Sequence, residues 1–417
     1  MKGKKSLLCL AVACLFGASF CLGIVVSPAA GVQVKEVLIG SLYATSGPLA
    51  PLGIELNNGV QMAIDEINES GGIKSLGGAK LRLIKGDDEG KPEVAISETE
   101  KLARDGVVAI IGGFQSASAF TGTQAAEKNK VPFITQGVAD DITNRGYKYT
   151  FRPHAKGSWI ARDTANYMLF LNKTAGTKDN KVAVLYEDTL YGQSTAKGLQ
   201  TSAKETGLTI CADLPYPAGF SDATPILTKL KYAQPNFVVA VSYISDAILI
   251  LKGMRDMRID ADAFIGAGIG YSHPKILELG KTAEYLMNIE SNHPDLKIKG
   301  LAEMARNYKA RFNTDADGST INQYAFVYLV KDALERAGSI DREKVRDALA
   351  SADMKSGERG NITNSRFKFD ATGQIDFHHM VKQLFIDESG VRYRSVYPAE
   401  IAAAKVIFPI PKWKDRK

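Results

Sequence analysis

Short apolar runs rich in β-branched residues alternate with amphipathic stretches along this chain, and the runs end in glycines or small polar residues. No other feature of the sequence restricts its fold as much. Runs at 36–42, 80–84, 107–111 and 131–135 have the length and composition of strands buried in a parallel sheet. Between them, 53–70 and 92–105 read as helices; in the first, Ile54, Val60, Ala63, Ile64 and Ile67 fall close to helical spacing and Gly71-Gly72 ends it. The pattern then restarts, with strands at 181–186, 237–241 and 263–266 and helices at 194–206 and 245–254. Parallel strands need crossover helices, so the expected fold is α/β with two doubly wound, Rossmann-like lobes. The default ligand site of such a chain is the cleft between the loop ends of the two lobes.

The junction Val107-Val108-Ala109-Ile110-Ile111-Gly112-Gly113-Phe114-Gln115-Ser116-Ala117-Ser118 fixes a first candidate site. A strand broken by two glycines opens into a helix whose free N–H groups and positive dipole end face the crevice. Ser116 adds a hydroxyl donor, so a carboxylate or phosphate is the natural guest. The plain alternative is that Ser116 or Ser118 only caps the helix.

The chain starts with the basic run Met1-Lys2-Gly3-Lys4-Lys5, then an apolar stretch to Val26 and the small-residue exit Ser27-Pro28-Ala29-Ala30. This is the pattern of a secretory signal peptide over 1–30, with a retained membrane anchor as the competing reading. Export to the periplasm is the expectation. A leader would carry away Lys2, Lys4 and Lys5, turning 52 basic residues against 46 acidic into 49 against 46. That near balance predicts no nucleic-acid partner. Cys9, Cys14 and Cys21 would also leave, and Cys211 alone cannot form an internal disulfide.

Read in order, the motifs Ile39-Gly40, Ser46-Gly47-Pro48, Asn58-Gly59, Ala63-Ile64-Asp65-Glu66-Ile67-Asn68, Asp105-Gly106-Val107, Phe151-Arg152 and Tyr191-Gly192 form a pattern. In that order and spacing the chain resembles the type I periplasmic solute-binding proteins of ABC transporters, in the branched-chain amino-acid group. The resemblance runs from about Val37 to Phe385. It implies a three-segment hinge, with lobe one at 36–153 plus 278–378 and lobe two at 154–277 plus 379–412. It also implies hinge closure on a small amino-acid-like solute, delivery to a membrane permease, no cofactor, no catalysis and a monomer. The solute's carboxylate would lie at Ser116, with Phe114 and Gln115 leading into it and Gln136, Gly137 and Ala139 beside it. Tyr191 and Tyr243 would close over the solute from lobe two, each with a plain alternative as a packing residue.

Two departures from the family pattern bear on the solute. Relatives with a disulfide between the loops of Gly90 and Gln115 have cysteines that are absent here. The acid that would bind an α-ammonium is replaced by Gly268. Asp246 is then the nearest candidate for that role, with capping of its own helix as the alternative; otherwise the solute is a carboxylate or amide without an ammonium.

Other chemistry finds less support. Asp87-Asp88-Glu89 lacks further metal ligands at a recognisable spacing, and His378 and His379 would alternate to opposite faces of a strand, so no metal site is expected. No Gly-x-Ser-x-Gly elbow, Cys/His pair or phosphate-binding loop stands in the sequence, which weakens an exported hydrolase.

Overall fold

The computed structural model of the protein describes residues 34–416, so the expected leader lies outside the described residues. The first sheet is five-stranded: β1 (Glu36–Tyr43), β2 (Lys80–Asp87), β3 (Ala109–Gly112), β4 (Phe133–Thr135) and β5 (Thr150–Phe151). They pair in parallel in the order β2-β1-β3-β4-β5. Helices α1 (Ala50–Glu69), α2 (Pro92–Arg104) and α3 (Ser116–Lys128) make the crossovers. β3 is buried along its whole length, which is why its sequence is continuously apolar rather than alternating.

The second sheet has seven strands: β6 (Lys181–Glu187), β7 (Thr209–Tyr216), β8 (Phe237–Val241), β9 (Ala263–Ala267), β10 (Met287–Glu290), β11 (Met380–Asp387) and β12 (Gly390–Tyr397). Their order is β12-β11-β10-β9-β8-β6-β7, parallel through β10 and antiparallel for the last two. Helix α4 (Gly157–Ala175) leads in, and α5 (Leu190–Thr206), α6 (Thr224–Ala233) and α7 (Ile244–Asp256) cross over.

Both sheets share one plan, in which the first strand lies between the second and the third. The winding reverses between the first and third strands, and a crevice opens beyond their carboxyl ends. In lobe one that point lies between β1 and β3, where α3 begins. In lobe two it lies between β6 and β8, where α5 and α7 begin.

After β10 the chain returns to lobe one as α8 (Leu301–Phe312), α9 (Gly318–Ala337) and α10 (Arg342–Ala350). The Tyr43 hydroxyl donates to Gln323 at 2.6 Å, and Arg342 donates to the carbonyls of Ala103 and Val107 at 2.7 and 2.9 Å. The expected boundary at 277/278 needs correction. β10 pairs with β9 and β11 in the second sheet, so the chain leaves lobe two only after Glu290. That strand is short and carries Asn288 and Glu290, which hid it among loop-like sequence. Near the other crossings, Arg152 and Gln374 form a parallel bridge, which sets the first and third passages side by side.

Candidate ligand-binding cleft

The lobe-one wall begins where β3 ends. Gly113 takes φ +59°, a left-handed turn that a side chain would strain, and a Cβ there would lie 2.9 Å from Ala119 Cα. The chain can thereby turn directly into α3. Gln115 is the residue before the helix, and its side chain caps nothing. Ser116 is the first helical residue rather than the cap, so the N–H groups of Ser116, Ala117 and Ser118 have no capping side chain. The buried Ser116 Oγ accepts the Ala139 N–H at 3.2 Å, which leaves its proton available to a solute.

The loop after β4 is held from behind. Thr135 Oγ1 donates to the Gly113 carbonyl at 2.9 Å and accepts the Gly137 N–H at 3.0 Å. Gln136 donates to Ser319 at 3.0 Å and accepts from Gln323 at 2.5 Å, so both ends of its amide are used in framing the cleft. Arg152 is fully buried and donates to the carbonyls of Gly137 and Ala139 at 3.0 and 2.7 Å, to Thr143 at 2.6 Å and to Gln374 at 2.5 Å. Burial pulls its pKa down to about 9, with Asp140 and Asp370 pushing the other way. Its role is to position the 136–139 loop and, through Ala139, the Ser116 hydroxyl.

The lobe-two wall is aromatic. Tyr191 lies in the first turn of α5 and Tyr243 just before α7, with ring centroids 5.5 Å apart. The Tyr191 hydroxyl donates to the Ala267 carbonyl at 2.7 Å, fixing this ring within its own lobe. That contact explains the missing acid. Gly268 has φ +133°, and a Cβ there would stand 1.9 Å from the Tyr191 oxygen. No side chain fits at 268 while Tyr191 keeps this position.

Between the walls lies a cleft that is partly open to solvent. Of the residues expected from sequence, Phe114, Ser116, Gln136, Tyr191, Tyr243 and Gly268 line it. Gly137 and Ala139 do not line it, and Ala139 is buried. Gln115 instead borders a separate depression with Tyr43 and Asp88, and a Cβ at Gly90 would lie 2.9 Å from its Oε1. Asp246 is the larger correction. It is buried in the first turn of α7, where its Oδ2 accepts the Gly219 N–H at 3.0 Å, and it does not line the cleft. Burial raises its pKa, with the Gly219 N–H pulling the other way. It tethers the Gly219 loop of lobe two.

Sequence reasoning missed the residues that the hinge passages bring in: His154, Glu290, Ser291 and His379, with Ser319 from α9. Glu290 ends β10; its Oε1 accepts the Ser291 N–H at 2.8 Å, while Oε2 accepts from Ser272 and lies 3.2 Å from Lys382 Nζ. Burial would raise its pKa, but Lys382, Ser272 and Ser291 together hold the carboxyl below its usual range. An ionised carboxylate therefore lines the cleft, delivered by a hinge strand instead of the loop at 268. Only the adjacent pair His378-His379 gave any signal in sequence; the pair lies just before β11 rather than on a strand, with His378 exposed and His379 buried.

The family model for periplasmic binding proteins matches residues 36–385. The Leu/Ile/Val-binding protein homolog 7 of Brucella melitensis is 31% identical over 421 residues, covering 97% of this chain and 100% of the relative. Among solved structures, the branched-chain amino-acid transporter substrate-binding protein LivJ of Streptococcus pneumoniae, in complex with isoleucine, is 26% identical with a TM-score of 0.73, covering 87% of this chain and 100% of that one. A solute-binding protein of R. palustris, in complex with benzoate, shares the fold at 19% identity and a TM-score of 0.73, covering 86% of this chain and 95% of that one. The chain belongs to the periplasmic binding protein family, as a two-lobed type I member related to the Leu/Ile/Val-binding proteins.

Proposed function

We propose that this protein is the solute-binding component of an ABC importer and closes on a small amino acid between its lobes. The observation that carries the reading is the uncapped start of α3 at the cleft, where backbone N–H groups and the Ser116 hydroxyl converge. Such a helix end favours a carboxylate. Glu290 supplies an anion for the ammonium, an ionised carboxylate at the cleft that Ser272, Ser291 and Lys382 hold in place. The lobes we take as 36–153 with 291–378, and 154–290 with 379–412. A leader at 1–30, a permease that receives the solute and a monomeric state belong to the same proposal. The relatives support it, since they include a Leu/Ile/Val-binding protein homolog and a substrate-binding protein in complex with isoleucine.

A second reading is favoured by one observation. Gly268 excludes an acid, and Glu290 is already paired with Lys382, which leaves less charge for an ammonium. A carboxylate without an ammonium would then be the solute. Calorimetric titration with leucine, isoleucine, valine and their ammonium-free analogues separates the two. Tight amino-acid binding that Glu290→Gln weakens supports the first reading, and tighter binding of the analogues supports the second. No heat from either set, nor from threonine or asparagine, would refute both.

A further inference from the structure

The hinge face of the cleft carries two imidazoles, each with one ring nitrogen that has no partner in the protein. His379 stands just before β11 and His154 just after β5, and both line the cleft. Their ring centroids are 6.5 Å apart, with Phe377 packed against each at 5.2 and 4.9 Å. His379 Nδ1 lies 2.8 Å from Asp163 Oδ2, and the same oxygen accepts the His379 backbone N–H at 3.0 Å. Arg162 holds the other Asp163 oxygen at 2.8 Å. Burial would raise the Asp163 pKa, but these partners bring it down to about 2, so it stays a carboxylate. With a carboxylate at Nδ1, the neutral imidazole carries its proton there and presents Nε2 as an acceptor. That Nε2 is buried and has no partner, and neither has Nδ1 of His154. Both residues are only 6% exposed. Burial, with His379 and Arg152 alongside, lowers the His154 pKa to about 3, so this ring is neutral.

Buried polar atoms without partners are rare, and in a ligand cleft the partner is a ligand group or an ordered water. Resting on the reading of the cleft as an amino-acid site, we propose that His379 Nε2 accepts a hydrogen bond from an O–H or N–H group on the solute's side chain. The cognate solute is then a hydroxyl- or amide-bearing amino acid, not a purely aliphatic one. A site built around such a bond rejects the isostere that lacks the donor, because its own acceptor is left unpaired in a dry pocket.

The test uses isosteric pairs on the full-length mature protein, threonine against valine and asparagine against leucine, titrated calorimetrically. The expected result is at least a tenfold preference for the donor-bearing member of one pair, reduced to within twofold by His379→Phe. His379→Gln, which keeps an acceptor, should retain part of the preference. Equal or tighter binding of valine and leucine by the wild type overturns the subsite while leaving the amino-acid reading intact; a water at Nε2 would give this result. A preference that survives His379→Phe in a folded variant also overturns it. No binding by any of the four removes the amino-acid reading and the subsite together. Because the wild-type comparison stands alone, a variant that fails to fold does not spare the proposal.

Discussion

Replacing Gly268 by Ala tests why the cleft has no acid at that position. The new Cβ would sit 1.9 Å from the Tyr191 oxygen, so the ring has to move and its 2.7 Å bond to the Ala267 carbonyl is lost. Losing a buried bond of this kind costs about 1–3 kcal/mol. The backbone at φ +133°, ψ −160° belongs to a region that is essentially glycine-only, which adds about 1–3 kcal/mol. Gly268→Ala should therefore destabilise the ligand-free protein by about 2–6 kcal/mol, the sum of those two ranges. The two causes separate in a double-mutant cycle with Tyr191→Phe. Without the hydroxyl, the nearest ring atom is Cζ at 3.1 Å, a contact that a shift of a few tenths of an ångström relieves. In the Tyr191→Phe background, Gly268→Ala should lose the clash and keep only the backbone cost. Thermal unfolding of all four proteins at one pH gives the coupling. Strictly additive shifts would show that Tyr191 does not exclude side chains from 268, and the account of the missing acid would fall.

The other expectations concern the walls, the hinge and pH. Ser116→Ala should weaken carboxylate binding by about 1–3 kcal/mol, read by calorimetry; a change below twofold would leave Ser116 a structural residue only. Lys382→Met strands the buried Glu290 charge and should cost about 3–5 kcal/mol of stability, with most of it recovered in the Lys382→Met/Glu290→Gln double variant. Glu187 has its pKa raised to about 8, chiefly by burial, with Thr189 and the Tyr243 N–H opposing and Asp246 adding to it. A carboxyl raised above its unfolded value keeps its proton in the fold, so stability falls as pH climbs from the usual carboxyl range through about 8. Glu187→Gln should therefore raise the melting temperature more at pH above 8 than at pH about 5; an equal change at both would contradict the protonated state. Tyr243→Ala should reduce the solute-induced contraction measured by small-angle X-ray scattering at saturating solute, and full contraction in that variant would remove Tyr243 from the closing surface.

The parts of the fold legible in sequence were those whose physics is local. β1, β3, β6 and β8 are continuous apolar runs because helices cover both faces of their sheets, and continuity can be seen without knowing any partner. β10 could not be seen this way, since Met287-Asn288-Ile289-Glu290 spends half its residues on polar side chains. Ser116 stood out because strand ends at a switch point are where ligands bind in such sheets, and the family resemblance added Tyr191 and Tyr243. Asp246 was ambiguous for an equally local reason: an acid in the first turn of a helix serves a backbone N–H as readily as a ligand. What settles its role is Gly219, which lies in a loop of another element. His379 is the same case reversed. Its alternation with His378 was visible, but its partner Asp163 lies in α4, 216 residues away.

That distance reflects how the cleft is made. Each passage between the lobes contributes lining residues: His154 from the first, Glu290 and Ser291 from the second, His379 from the third. Each is clamped or backed by a buried polar group, through Arg152 with Gln374, Lys382 with Ser272 and Glu290, and Asp163 with His379. Residues at a hinge move least when two lobes rotate, so a solute meets them in the open and the closed forms alike. Contacts of equal strength in both forms raise affinity but do not shift the balance between them. The walls differ in the proposed reading, in which a solute held at Ser116 would reach Tyr191 and Tyr243 only when the lobes approach. On the proposed reading, identity and closure fall to different residues, with the hinge face reading the side chain and the walls converting occupancy into a closed shape.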